Sequence, residues 1–205
     1  MPRHSRYQRP TPFLVSKPTI LIVSEGKETE PRYFEELKTR NREVVTVIIS
    51  KGRDGQTNPK RVLKRLKQEV RNRASWNSRD QAWLVVDTDQ WTEAERQEIQ
   101  LAVSKDSQIH LAASNPCFEL WLLLHFRDGW DAITAADLDR LLGSSDCLAN
   151  YHKKNYNVSI LMKKIDDAIH RAKTSDSANT EKWDKWPLPG RTHVYKVVEN
   201  IIRNH

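Results

Sequence analysis

Glycine, cysteine and long apolar runs are scarce in this chain, and each scarcity closes off a class of protein. The 205 residues include six glycines and no GxxxxGK(S/T) loop, which argues against a nucleoside triphosphate hydrolase. Two cysteines, Cys117 and Cys147, stand far apart with no CxxC spacing. That spacing suggests neither a zinc knuckle nor a disulfide framework, and it leaves Cys117, inside an apolar segment, as a small core residue. No apolar stretch reaches the ~18 residues of a membrane span, so no membrane partner is expected. The opening MPRHSRYQRPTPF is basic but lacks an apolar h-region. It is therefore not a secretory signal, and a cytoplasmic location is the expectation.

What the chain does have is charge. Charged residues make up 30% and hydrophobic ones 38%, with a net charge of +7 and a pI near 9.4. Such a balance favours an anionic partner such as nucleic acid over a merely soluble basic surface. Arg3, Arg6 and Arg9 lie in a Pro-rich basic arm over 1–17, read either as a phosphate-touching segment or as a disordered terminus.

Hydrophobic periodicity then sets the fold class. Ile20–Val23, Val44–Ile49, Ala82–Val86 and Ile109–Ala113 are short, continuous apolar runs of strand type. Helical spacing separates them. Thr29 is read as the cap of a helix, with Pro31 in its first turn and Tyr33, Phe34 and Leu37 on one face. A second begins at Asn58-Pro59 with Val62, Leu66 and Val70 inward and Lys60, Arg61, Lys64, Arg65, Lys67 and Arg71 outward. Thr92 and Glu95 form a capping-box pattern for a third, and Asn115 is expected to cap a fourth over CFELWLLLHF. Strands buried on both faces and alternating with helices predict an α/β domain with a mainly parallel four-stranded sheet flanked by helices. The α/β core spans 18–128. The part over 129–205 reads as a helical elaboration: Thr134 to Leu142, Val158 to Lys173, and a last helix over Val194–Ile202, with Arg191-Thr192 at its start as an anion-holding N-terminus.

The chemistry is expected at the carboxyl ends of the strands. The third apolar run ends in Asp87 and Asp89, whose side chains on a strand would share one face roughly 6–7 Å apart. Glu25 follows the first run, and Gly26 beside it lets a phosphate approach the backbone. If those strands are neighbours, the three carboxylates converge. Three hard oxygen donors with no nearby His or Cys suit Mg2+ or Mn2+, which would orient water and polarise a phosphodiester. Glu119 lies in the apolar helix at the same edge and is open to two readings: a fourth carboxylate or general base, or a structural ion pair. His125 reads as a packed or exposed histidine. Trp76, Trp183 and Trp186, in polar segments, are open to base stacking or partner docking.

Strand-Glu-Gly followed by strand-Asp-x-Asp resembles the Toprim fold of topoisomerases, primases and OLD-type nucleases. SEGKETEPRYFEEL, VVDTDQW and SNPCFELWLLLHF are similar to the RloB-like family of Toprim proteins, over roughly residues 19–126. The resemblance implies a Toprim-like Rossmannoid domain and a bacterial defence or abortive-infection effector encoded beside an ATPase partner. It assigns metal binding to Glu25, Asp87 and Asp89. It also implies that a lysine of the cluster Tyr151-His152-Lys153-Lys154-Asn155, taken as Lys154, faces the site and contacts phosphate; the other reading is a solvated loop. Gln90-Trp91 stands where further acids often stand, with Glu93 the nearest acid, so one or two metals are open.

Two functions follow. One is a magnesium-dependent nuclease cutting DNA or RNA, tRNA among the candidates. The other is a non-catalytic nucleic-acid-binding or regulatory module that docks on the ATPase. Self-assembly is left open.

Overall fold

The computed structural model describes residues 17–52, 59–89, 91–129, 133–177 and 186–203. The arginines of the arm, Asn58, Gln90 and Trp183 lie outside the described residues. Among those described, five strands and eight helices occur in the order β1(Thr19–Ser24), α1(Thr29–Asn41), β2(Thr46–Ser50), α2(Pro59–Arg71), β3(Gln81–Asp87), α3(Glu93–Val103), β4(Ile109–Asn115), α4(Glu119–Leu124), α5(Ala135–Leu142), α6(Val158–Met162), α7(Ile165–Ser177), β5(Arg191–Thr192) and α8(Val194–Ile202).

One sheet runs β2-β1-β3-β4-β5. The first four strands are parallel, with Ile20 opposite Gln81 and Ala82 opposite Ile109, and β5 pairs antiparallel to β4. Strand alternation divides the apolar residues between two layers. Ile20, Ile22, Trp83, Val85 and Ala112 face α1 and α4–α8 in one cluster. Leu21, Val23, Ala82, Leu84, Val86 and Ala113 face α2 and α3 in the other. The helices after Gly129 therefore share one apolar cluster with α1 and α4, through Leu138, Leu161, Ile169 and Val198.

The expected α/β order is present, with differences in detail. The sheet has a fifth strand: Arg191-Thr192 pairs with Ser114 and Asn115 instead of starting the last helix. Two residues are too few to show a strand period. Arg191 directs Nε to the Ser175 carbonyl at 2.9 Å and stands three residues before α8. Asn115 ends β4 and donates through Nδ2 to the Pro187 carbonyl at 3.1 Å; the N-cap of α4 is Phe118. Glu28, not Thr29, is the N-cap of α1. The helix expected over 158–173 is broken at Lys163-Lys164 into α6 and α7. The anticipated capping box Thr92–Glu95 is formed, and a second, Thr134–Asp137, starts α5.

Candidate functional site

The connection from β1 leads to β2 on one side, and that from β3 leads to β4 on the other. Between the carboxyl ends of β1 and β3 the sheet therefore has its topological switch point, where a crevice opens. Glu25 and Asp87 flank it.

Glu25 extends the ladder by donating its N–H to the Val85 carbonyl at 2.9 Å. Its Oε2 accepts the N–H of Asp87 at 3.3 Å. Burial pushes its pKa up to about 7, with Glu30 and Asp89 adding to the rise, while the Asp87 N–H and the Trp91 indole work against it. Asp87, the last residue of β3, accepts the N–H of Phe118 at 2.8 Å, an otherwise unused donor at the start of α4. Burial holds Asp87 well above the usual carboxylate range, reinforced by Glu30, Glu119, Glu25 and Asp89. Thr88 turns inward and donates to Ser114 and Pro116, so β3 ends before Asp89 and the strand pleat does not set its direction. Asp89 is exposed, yet close enough to act on both Glu25 and Asp87.

Glu30 is a fifth carboxylate that the sequence reading passed over. It lies in the first turn of α1, is buried, and accepts the Gly26 N–H at 3.0 Å. Its pKa is raised to about 7 by burial and then by Glu119. Gly26 keeps room for the Glu30 carboxylate, which a Cβ there would push aside from the Gly26 N–H. The available signal was a glycine at a strand end with a glutamate four residues on. Gly52 is the second steric requirement. Its N–H donates to the Gly26 carbonyl at 2.9 Å, and a Cβ there would overlap the carbonyl of Glu25.

Glu119 is 3% exposed and joins the cluster from the first turn of α4. Lys153 Nζ lies 3.1 Å from it, and the Tyr151 hydroxyl donates to it at 3.2 Å. Burial opposes the charge on Lys153, but the Glu119 carboxylate outweighs it and keeps the pKa raised. The lysine at the site is therefore Lys153. Lys154 is exposed, and its backbone carbonyl accepts from Arg32 at 3.1 Å.

Other candidates lie elsewhere. Arg65 is turned inward from the basic face of α2 and donates to the Ser24 carbonyl. Trp76 packs on the α2–α3 cluster, and Trp186 packs edge-on against Trp91 at 5.4 Å. His125 is fully buried between Trp121 O and the Tyr33 hydroxyl. Glu93 pairs with Arg96 on the surface of α3.

The all-oxygen donor set and the raised pKa values match what a hard divalent cation requires: crowded carboxylates whose charge it would neutralise. Among the described residues, no group of three is already arranged as a metal shell. Glu25, Glu30, Asp87 and Glu119 each turn one oxygen to an N–H, O–H or ammonium partner, which leaves the second oxygen of each carboxylate for a cation.

The chain belongs to the RloB-like family: the family model described as RloB-like protein matches residues 20–201. No curated protein and no solved structure matches it. No helix of the described residues is long and apolar enough to cross a membrane.

Proposed function

We propose that this RloB-like chain is a divalent-metal-dependent nuclease of Toprim type, acting on DNA or RNA phosphodiesters as the effector of a bacterial anti-phage system with an ATPase partner. The observation that carries the reading is the meeting of Glu25, Asp87 and Asp89 at the switch point, with Glu30 and Glu119 beside them. Five acidic side chains around one crevice repel one another, and a cation is the simplest relief. Glu25, Asp87 and Asp89 would hold Mg2+ or Mn2+, which would supply a polarised water and charge neutralisation at the scissile phosphate.

The chain's own residues supply the rest. Lys153, steered by Glu119 and Tyr151, binds a phosphate oxygen at the rim. Glu119 is thereby a positioning carboxylate, not a free base. Glu30, with a pKa near 7, is suited to take up a proton during attack. Phe118 N–H and Gly26 N–H hold Asp87 and Glu30 in place before substrate arrives. Outside the crevice, α2 exposes Lys60, Arg61, Lys64 and Arg71, a track for the phosphate backbone.

One observation favours the second reading, a non-catalytic nucleic-acid-binding module docking on the ATPase: no ready-made metal shell exists among the described residues. Incubating the purified chain with magnesium, DNA and tRNA, alone and with the ATPase, separates the two. The nuclease reading expects cleavage that the Asp87→Ala/Asp89→Ala double variant lacks. Equal cleavage by that variant, or none by the wild type, overturns it.

A further inference from the structure

Along the face of α1 that carries Arg32, Glu35, Glu36 and Thr39, the helix and the segment over 145–160 form an open groove of about 950 Å3. Its size is at the upper end of the roughly 300–1,000 Å3 of small-ligand sites, enough for a nucleoside with its neighbouring sugar. Tyr156, 5% exposed, lies in its lining, with the Arg32 guanidinium 5.7 Å from the ring centre. Asn150, Asn155 and Asn157 line it and are exposed. Among the described residues, none makes a hydrogen bond to their three carboxamides. Asn150 holds a left-handed backbone at φ 63°, which asparagine tolerates better than most residues.

The lining chemistry selects the occupant. Among the described residues, Arg32 is the one cation of the lining, and Glu35 and Glu36 beside it are paired with Lys38 and Arg40, so the lining holds no cluster of cations for a phosphate. Carboxamides donate and accept side by side, which is the complement of a nucleobase edge. The exposed Arg32 guanidinium, seated over the buried Tyr156 ring, adds a stacking surface. The groove is also tied to the crevice. The Tyr156 hydroxyl donates to the Thr29 carbonyl at 2.7 Å, one residue before Glu30. Arg32 follows Glu30 by two positions on α1, and the loop that carries Asn155 also sends Lys153 to Glu119.

We infer that this groove takes one unstacked nucleobase next to the phosphodiester that faces Lys153 and the acidic cluster. The substrate is then single-stranded or looped nucleic acid, because a base stacked in a continuous duplex cannot enter. The inference rests on the nuclease reading for its substrate and is tested apart from it, by binding in EDTA. Fluorescence anisotropy compares a short labelled single strand with the same sequence in a duplex. The wild type binds the single strand about tenfold or more tighter, the size of one good base contact. Asn155→Ala/Asn157→Ala, and separately Ser159→Trp, which fills the groove, each lose about tenfold for the single strand and leave duplex binding unchanged. Circular dichroism melting confirms that both variants fold. Equal affinity for the two forms, or single-strand binding by both folded variants as tight as the wild type's, overturns the inference. Selective single-strand binding without cleavage in magnesium would remove the nuclease reading and leave the groove standing.

Discussion

The carboxylate of Glu25 accepts the backbone N–H of Asp87 across 62 residues of sequence, at 3.3 Å. This bond joins the ends of two neighbouring parallel strands at the point where their connections diverge. It also holds two acids together that repel each other once both are ionised. Stability, metal affinity and catalysis should therefore all respond to what neutralises this pair.

The lysine that matters is Lys153. Its ammonium is 3.1 Å from the buried Glu119, whereas Lys154 is exposed and contributes its backbone carbonyl to Arg32. Lys153→Met should lower kcat by about 100-fold, the scale of losing one preorganised charge at a phosphate. Lys154→Met should stay within about twofold of wild type, since surface charges act weakly. Single-turnover cleavage assays on both variants decide this, and a reversed order would contradict the placement.

Gly52 should be intolerant of a side chain. A Cβ there overlaps the Glu25 carbonyl, which is backbone and cannot swing aside. Gly52→Ala should cost about 1–3 kcal/mol in urea unfolding and weaken metal binding by displacing Glu25. Gly143→Ala is the control. Its Cβ would meet the Asp139 carbonyl at 3.4 Å at the end of α5, and it should change stability by less than about 1 kcal/mol.

Without metal, stability should fall as pH rises from about 5 to about 8. Glu25 and Glu30 move from 4.5 to about 7 on folding. Between those values the folded chain keeps protons that the unfolded chain has released, so each proton lost on raising pH weakens the fold. Asp87, also raised, acts in the same direction. Buried His125, lowered to about 4, and His110, also lowered by burial, act oppositely below the unfolded value of 6.5, but they are two groups against three. Thermal melts in EDTA should show Tm dropping across the window, with a shallower slope in Glu30→Gln. Added magnesium should raise Tm more at the alkaline end. A Tm that climbs with pH in EDTA would contradict the crowded-acid account.

The parts legible in the sequence were those with a period or a local pattern. Ile20–Val23 and Ala82–Val86 are apolar on both faces, which marks central parallel strands, and their order places Glu25 near Asp87. Thr92 with Glu95 marked a helix start by spacing alone. What escaped depends on distant contacts. Glu30 looks like an ordinary first-turn acid until Gly26 folds onto it. Arg65 belongs to a basic run, and its burial follows from where α2 crosses the end of β1. Lys153 and Lys154 are chemically identical neighbours on a loop, and only the position of Glu119 separates them. β5 is two residues long and is a strand solely because Ser114 and Asn115 lie beside it.

The central claim is that the crevice between β1 and β3 is a divalent-cation site. Calorimetric titration of the metal-free chain with Mn2+ tests it most directly, with Trp91, which lies near Glu25, as a fluorescence reporter in parallel. The account predicts saturable binding by the wild type, a matching change in tryptophan emission that Trp91→Phe diminishes, and loss of the binding heat in Asp87→Asn/Asp89→Asn. A wild type that takes up no Mn2+, or a double variant that binds it as well as the wild type does, would contradict it.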